Sequence, residues 1–217
     1  ALGGTYDLTF NGVEIRHYAE GPAHPTDGPT ILFLGRHEPR KGLGTLLEAM
    51  RELPENVRLG VVGEGPQTEE LRDTVLGDPR IEWLGTITET EKAARLRGAD
   101  VFCAPSLRGE SFGIVLLEAM AAGTAVVASD IPGYANVARK GADALLVPPG
   151  DGAALGEALR TVLDDQPTRD RLVASGRSRA DGFSMARLAE IYLERFERIV
   201  GTHERDDAGR PGTLKRR

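Results

Sequence analysis

Short apolar runs alternate with helix-length amphipathic segments between residues 30 and 147, and this alternation constrains the fold more than any other feature of the sequence. A short continuous apolar run bounded by Gly, Pro or Asp is typical of a strand that is buried on both faces. Strands that alternate with helices favour a parallel sheet covered on both sides, the doubly wound α/β or Rossmann-like fold. The predicted strands are 30–34, 57–62, 81–84, 101–104, 125–128 and 144–147, and the predicted helices between them are 43–53, 68–76, 89–97, 112–122 and 134–139.

The pattern becomes helical only after the Pro-Pro-Gly segment at residues 148–150. We interpret residues 1–28 as an inter-domain segment that contains a first strand, and residues 29–200 as one Rossmann-like domain with extra C-terminal helices. Residues 201–217 are rich in charge, Gly and Pro without periodicity, which predicts a disordered tail. The chain begins at Ala1 without a methionine or a secretory signal pattern, so we expect a fragment. The predicted C-terminal helices are 153–163, 168–178 and 185–200.

Composition and charge narrow the possible functions. The formal net charge of -6 argues against nucleic acid as the main partner, because phosphate backbones select basic surfaces. No stretch approaches the roughly 20 apolar residues of a membrane span. Neither a pair of histidines at metal spacing nor an Asp-any-Asp motif occurs, so we expect no metal site. The single Cys103 lies in an apolar run, which favours a packed core thiol in a reducing compartment.

A basic loop, residues 35–42, follows the first strand of the predicted sheet with the sequence Gly-Arg-His-Glu-Pro-Arg-Lys-Gly. Ligands of an open parallel sheet bind at the carboxyl ends of the strands, where this loop lies. Its glycines let a backbone approach an anion, while Arg36 and Lys41 can neutralise the charge on a diphosphate leaving group. The segment predicts a phosphate site, although a solvated charged turn explains this loop alone about equally well.

A second segment, residues 109–114 (Gly-Glu-Ser-Phe-Gly-Ile), opens the most apolar predicted helix. Ser111 is the predicted N-cap, and the free amides of the first turn would attract an anion. Gly113 would let a phosphate come close. Ordinary capping of a buried helix is the alternative, and for this segment alone it is the simpler one.

Glu110 and Glu118 are eight positions apart, which corresponds to roughly 12 Å of rise if both lie on one helix. This separation is too long for a close acid/base pair and suits two contacts to one extended ligand, such as a nucleotide-sugar. Glu118 lies among apolar residues, and because a buried carboxylate needs a partner, ribose hydroxyls would provide one. Gly63 begins a Gly-Glu-Gly-Pro segment that lacks the third glycine of a dinucleotide fingerprint and by itself indicates a turn.

Together these segments resemble the retaining family 4 glycosyltransferases of the GT-B fold. The resemblance covers residues 11–200 and is strongest to actinobacterial members that transfer mannose from GDP-mannose to a phosphatidylinositol acceptor. It departs in the basic loop, which has one residue fewer between Arg36 and Lys41, so that the role of Glu38 is open. The matching motifs lie at residues 34–36, 39–42, 62–66, 104–105, 109–116 and 118–123.

The resemblance implies a role for each matching position. Arg36 and Lys41 would hold the donor diphosphate, Glu110 would contact the transferred sugar, and these three would be the catalytic residues. Glu118 would bind the ribose. Ile87 and Lys92 would lie near the nucleotide base. The complete donor-binding set implied is Gly35, Arg36, Lys41, Gly63, Ile87, Lys92, Glu110, Ser111, Phe112, Gly113, Ile114 and Glu118.

The resemblance also implies what surrounds the chain. The donor would be a substrate, GDP-mannose, with no tightly bound cofactor. An N-terminal acceptor domain, absent from this chain, would bring the lipid acceptor, and the whole enzyme would be cytoplasmic and peripheral to the inner face of the membrane. Two alternatives remain: a related hexosyltransferase with a UDP or ADP donor, and a non-catalytic nucleotide-binding module.

Overall fold

The structure, a computed structural model, describes residues 9–208, without the side chains of residues 199 and 201–208. Its centre is a six-stranded parallel sheet in the order β3-β2-β1-β4-β5-β6. All six predicted strands are present with small shifts of their ends, so the predicted doubly wound fold is confirmed. The strands are β1 (Thr30–Leu34), β2 (Arg58–Val62), β3 (Ile81–Gly85), β4 (Val101–Ala104), β5 (Ala125–Ser129) and β6 (Leu145–Val147).

Helices cover both faces of the sheet, which explains why the strands are apolar at consecutive positions. Leu32 of β1 belongs to the core on one face, while its neighbours Ile31 and Phe33 belong to the core on the other. All three side chains are almost completely buried. The helices are α1 (Ile15–Ala19), α2 (Leu43–Met50), α3 (Thr68–Thr74), α4 (Glu89–Gly98), α5 (Ile114–Ala122), α6 (Pro132–Ala135), α7 (Gly152–Asp164), α8 (Gln166–Asp181) and α9 (Met185–Ala208).

The strand order reverses between β1 and β4. Within residues 9–208, the chain adds β2 and β3 on one side of this pair and β5 and β6 on the other. In doubly wound folds, a ligand binds outside the carboxyl ends of the strands at this switch point. The basic loop leaves β1 here, and residues 105–113 leave β4 beside it. The topology therefore brings together the two segments that the sequence singled out.

Helix α5 begins at Ile114, two residues later than the sequence predicts. Gly113 occupies the N-cap position with φ 86°, a left-handed conformation that interrupts the helix and that favours glycine. A Cβ at this position would lie 2.8 Å from Cδ1 of Tyr134, so a side chain has no room either. The prediction that Ser111 is the N-cap is therefore wrong, and Ser111 lies exposed in the loop before the helix.

The two ends of the described chain differ from the sequence prediction. Residues 9–28 contain helix α1 and an isolated bridge between Val13 and Ser184, and no strand lies within this described part of the predicted inter-domain segment. Ile15 and Tyr18 are three residues apart, and both pack on the core, which favours the helix. Residues 1–8 lie outside the described residues. Helix α9 continues to Ala208, into the predicted disordered tail, because a helix that is already nucleated extends readily through polar residues.

The rest of the predicted tail, residues 209–217, lies outside the described residues. Helix α6 is shorter than predicted and starts earlier, with Pro132 in its first turn, where the missing amide hydrogen costs no hydrogen bond. None of the helices in residues 9–208 is long and apolar enough to cross a membrane.

Candidate functional site

The basic loop and the loop after β4 meet through a lysine and a glutamate. Lys41 Nζ lies 2.6 Å from Glu110 Oε1, and both side chains are mostly buried. Arg40 Nη1 approaches the same oxygen at 3.4 Å and the carbonyl oxygen of Gly109 at 3.3 Å. The backbone amide of Leu107 donates to the carbonyl oxygen of Arg40 at 2.7 Å. The sequence prediction that Lys41 and Glu110 share one site is thus consistent with their direct contact.

Glu110 has a further partner that the sequence did not indicate. Ser106 Oγ lies 3.1 Å from Glu110 Oε1 and 2.9 Å from the hydroxyl oxygen of Tyr134. Ser106 and Tyr134 are almost completely buried, and burial raises the pKa of the Tyr134 hydroxyl. No motif marks this pair, because Ser106 lies in the loop after β4 and Tyr134 lies on α6, 28 positions away.

Arg36 presents the most accessible charge of the basic loop. Its side chain is 69% exposed, and its Nε atom lies 3.1 Å from Glu38 Oε1. Glu38 also binds Arg40, whose Nε atom lies 2.8 Å from Glu38 Oε2. Glu38, whose role the sequence left open, therefore spaces two arginines along the rim of the site. The loop retains an excess of positive charge that an anion can neutralise.

His37, the middle of the basic loop, points away from solvent. Its Nδ1 atom lies 2.8 Å from Thr68 Oγ1, and its ring packs 5.6 Å from the Trp83 ring. Burial lowers the pKa of this histidine from its ordinary value of 6.5. His37 thus anchors the basic loop to α3 and β3, while Arg36 stays at the surface.

A second charged cluster surrounds Lys92 on α4. Lys92 Nζ lies 2.8 Å from Glu89 Oε2 and 3.1 Å from Glu118 Oε1 on α5, and Tyr18 OH donates to Glu89 Oε2 at 3.3 Å. Burial alone would lower the pKa of Lys92, but hydrogen bonds to Glu89 and Tyr18 and the charge of Glu118 raise it, so the ammonium group stays charged. Sequence reasoning missed Tyr18 because it lies on α1, far from every recognised motif.

Two sequence expectations about the glutamates need correction. Glu110 precedes α5 and does not lie on it, so the distance estimated for one continuous helix does not apply. Glu118 already has a partner in the protein, Lys92, so its burial does not by itself require a ribose. The error about Glu110 follows from the left-handed Gly113, which separates the two carboxylates into a loop and a helix.

The remaining predicted site residues fall along the same edge of the sheet. Gly35 and Gly63 directly follow β1 and β2, and a Cβ on Gly63 would overlap the carbonyl oxygen of Gly35. Ile87 and Phe112 are partly buried against the core, and Ile114 is exposed at the start of α5. Within residues 9–208, no group of three or more His, Cys, Asp or Glu side chains is arranged to hold a metal ion.

The fold and its switch-point site define a doubly wound domain of the kind that binds nucleotides. A family model described as glycosyl transferases group 1 matches residues 15–179. The chain belongs to this glycosyltransferase family, as the motifs at residues 34–36 and 109–116 suggested.

Similar proteins agree with this assignment. The chain is 43% identical over 208 residues to the phosphatidyl-myo-inositol mannosyltransferase of Mycobacterium leprae, a match that covers 92% of this chain and 55% of the relative. It is 40% identical over 210 residues to the enzyme of the same name from Mycolicibacterium smegmatis, covering 93% of this chain and 54% of that protein. The chain therefore spans about half the length of these relatives.

Solved structures show the same fold. Anabaena HepE, in a complex with UDP and glucose, matches with a TM-score of 0.78 at 21% identity, over 86% of this chain and 55% of the HepE chain. Sucrose-phosphate synthase from Thermosynechococcus elongatus matches with a TM-score of 0.77 at 31% identity, over 88% of this chain and 52% of that chain. Both confirm that the domain has the architecture of a GT-B glycosyltransferase half.

Proposed function

We propose that the chain is the donor-binding half of a retaining glycosyltransferase that transfers mannose from GDP-mannose to phosphatidyl-myo-inositol. The observation that carries the proposal is the contact between Lys41 and Glu110 at the switch point of the sheet. The contact joins a cation, which would bind a diphosphate, to a carboxylate, which would accept a hydrogen bond from a sugar hydroxyl. A nucleotide-sugar carries both of these groups. The named relatives support mannose and phosphatidylinositol as the substrates.

The charges of the site suggest how the leaving group would be stabilised. Arg36 and Lys41, together with the first amides of α5, would neutralise the nucleoside diphosphate as it departs. The bond from the anomeric carbon to the diphosphate oxygen breaks, and a bond to the acceptor hydroxyl oxygen forms on the same face, with release of the hydroxyl proton. Stabilisation that grows as the diphosphate leaves accelerates the reaction, because it acts more strongly on the transition state than on the bound substrate.

The other site residues would bind the rest of the donor. Glu110 would accept a hydrogen bond from the mannose, and Glu118 would accept one from the ribose, alongside Lys92. Ile87 and Lys92 would lie near the base, with Gly35, Gly63, Ser111, Phe112, Gly113 and Ile114 lining the donor. An N-terminal acceptor domain and a lipid at the inner face of the membrane would complete the reaction, so the chain alone would bind donor and transfer little sugar.

The first test is calorimetric titration of the chain with GDP, UDP and ADP, repeated with Lys41→Ala and Glu118→Ala. The chain has its own hydrophobic core on each face of the sheet, so it can be titrated by itself. Loss of a charge-assisted hydrogen bond of about 2 kcal/mol weakens binding about 30-fold. Lys140→Ala and Glu190→Ala are matched controls, because these residues form exposed ion pairs elsewhere on the surface.

Each outcome of the titration has a distinct meaning. Selective GDP binding that both site variants lose, and both controls keep, supports the proposal. Selective binding of UDP or ADP would mean that the chain belongs to a glycosyltransferase with a donor other than GDP-mannose. The UDP in the HepE complex favours this alternative. No binding of any nucleotide would reject the proposed donor site. If nucleotide binds but the protein joined to its N-terminal domain neither hydrolyses nor transfers any sugar, the chain is a non-catalytic binding module.

A further inference from the structure

A buried chain of hydroxyl groups leads from α6 to the carboxylate of Glu110. The Tyr134 hydroxyl oxygen lies 2.9 Å from Ser106 Oγ, which lies 3.1 Å from Glu110 Oε1. Tyr134 is 1% exposed, and Ser106 is 2% exposed. An ionised carboxylate only accepts hydrogen bonds, so Ser106 donates to Glu110 and Tyr134 donates to Ser106. The chain therefore has one direction, from the phenol to the carboxylate.

The hydrogen bonds that the Glu110 carboxylate accepts within the described residues fall on one of its two oxygens. Oε1 receives Lys41, Ser106 and, at 3.4 Å, Arg40. Within residues 9–208, none of the side-chain hydrogen bonds of Glu110 reaches Oε2. A carboxylate fixed through one oxygen presents the other in a defined direction. Oε2 is thus the atom that can accept a hydrogen bond from outside the protein.

Helix α6 fixes the backbone of Glu110 as well as its side chain. A Cβ on Gly133 would overlap the carbonyl oxygen of Glu110 and would lie 3.0 Å from its Cβ, so the two backbones are in direct contact. The next residue, Tyr134, places its ring against Gly113 at the other end of the loop. Two consecutive residues therefore hold both the position and the orientation of Glu110.

We propose that Ser106 and Tyr134 are positioning residues that orient Glu110, so that Oε1 pairs with Lys41 and Oε2 faces a hydroxyl of the sugar being transferred. This inference rests on the proposed function, in which Glu110 contacts that sugar. Neither residue touches the donor. Each acts through Glu110, and because they act in series, removing both has the same effect as removing Ser106 alone.

The test compares the affinities of the chain for GDP and for GDP-mannose by calorimetry. Ser106→Ala and Tyr134→Phe each remove one hydroxyl, and Tyr134→Phe keeps the ring that packs on Gly113. We expect Ser106→Ala to weaken GDP-mannose binding about threefold to tenfold while GDP binding changes less than twofold. Tyr134→Phe should act in the same direction with a smaller effect. A role in folding alone would change both affinities together.

Matched controls separate positioning from general destabilisation. Ser175→Ala removes a serine that donates to another buried carboxylate, Asp143, at 2.7 Å and away from the site. Tyr192→Phe removes a phenol hydroxyl on α9. Both controls should leave the ratio of the two affinities unchanged. Ser106→Thr retains a hydroxyl and should keep more of the preference for GDP-mannose than Ser106→Ala does.

The outcomes distinguish this inference from the proposed function. If Glu110→Ala weakens GDP-mannose binding while Ser106→Ala and Tyr134→Phe do not, the inference is overturned and the proposed function stands. The same holds if the two variants weaken GDP and GDP-mannose equally. If Glu110→Ala leaves the ratio of affinities unchanged, or if the chain binds neither probe, the proposed function fails, and the inference fails with it.

Discussion

Two nearly buried carboxylates of this chain have similar neighbours and opposite arrangements. Asp143 receives Arg139 on both oxygens, at 2.7 Å and 2.8 Å, and Ser175 on Oδ1 at 2.7 Å. Glu110 also receives basic side chains and a serine, but all of them bind a single oxygen. The acid with both oxygens paired has no capacity for a ligand, while the acid with one free oxygen retains it.

The surroundings of Asp143 show what full pairing achieves. Asp143 lies just before β6 and connects the turn at Arg139 to helix α8 through Ser175. Burial alone would raise the pKa of Asp143, but the hydrogen bonds from Arg139 and Ser175 lower it. The carboxylate therefore stays charged and holds two parts of the fold together. Partner types alone do not distinguish a structural acid from a site acid, but the distribution of partners over the two oxygens does.

The largest expected effect on the free energy of unfolding comes from breaking the hydrogen bonds around Asp143. We expect Asp143→Asn to lower the free energy of unfolding by about 3 kcal/mol, because it removes a buried charge and turns an amide donor toward Arg139. Denaturant unfolding measures this loss, and GDP affinity should not change. A loss below about 1 kcal/mol would contradict the structural role of Asp143.

A smaller loss is expected from the glycine that touches Glu110. Gly133→Ala places a methyl group on the Glu110 backbone, which should cost about 2 kcal/mol of unfolding free energy through overpacking. The same substitution should weaken GDP-mannose binding more than GDP binding. Gly156→Ala on α7 is the control, since its Cβ would come no closer than 3.8 Å to another atom. Equal effects of both variants on binding would show that Gly133 has no special relation to the site.

Glu110, whose partners all bind one oxygen, should contribute less to the free energy of unfolding than Asp143 does. Glu110→Gln keeps the shape of the side chain and leaves Lys41 without its counter-charge, and the lysine is partly exposed to water. We expect the free energy of unfolding to fall by about 1 kcal/mol in thermal or denaturant unfolding. If Glu110→Gln destabilises the chain as much as Asp143→Asn, the comparison between the two acids fails.

The smallest expected effect is the pH dependence that His37, which anchors the basic loop, gives to the free energy of unfolding. Because the pKa of His37 is lower in the folded state than its ordinary value of 6.5, the unfolded chain binds the proton first as the pH falls. The stability that the folded chain has with His37 neutral is fully present above about pH 6.5. It is lost in more acidic solution, by up to about 0.7 kcal/mol between pH 7 and pH 6. The free energy of unfolding, measured at pH 7 and at pH 6, should fall by this amount more in the wild type than in His37→Gln. Parallel pH profiles would exclude His37 as its source.

The sequence predicted the sheet, and the closeness of Lys41 to Glu110, from local patterns. Continuous apolar runs marked all six strands, since helices cover both faces. The topological rule for parallel sheets then placed Lys41 and Glu110 at the same edge. The roles assigned to the site residues stay predictions, because they depend on a ligand.

The parts that the sequence missed depend on contacts between distant residues. Ser106 and Tyr134 meet across 28 positions, and Tyr134 lay inside a segment whose pattern indicated only a helix. Tyr18 reaches Glu89 across 71 positions from α1. The start of α5 was placed too early because the left-handed Gly113 reflects the space left by the Tyr134 ring, which periodicity does not encode.

The direct backbone contact between Gly133 and Glu110 bears on how related sequences are sorted into active and inactive members. A relative that retains Arg36, Lys41 and Glu110 but carries a larger residue at position 133 would pass any filter built on charged positions. Its loop would nevertheless have to follow another path, since the space for a side chain is already occupied. A position without any functional group is therefore a useful marker for recognising degenerate members of the family.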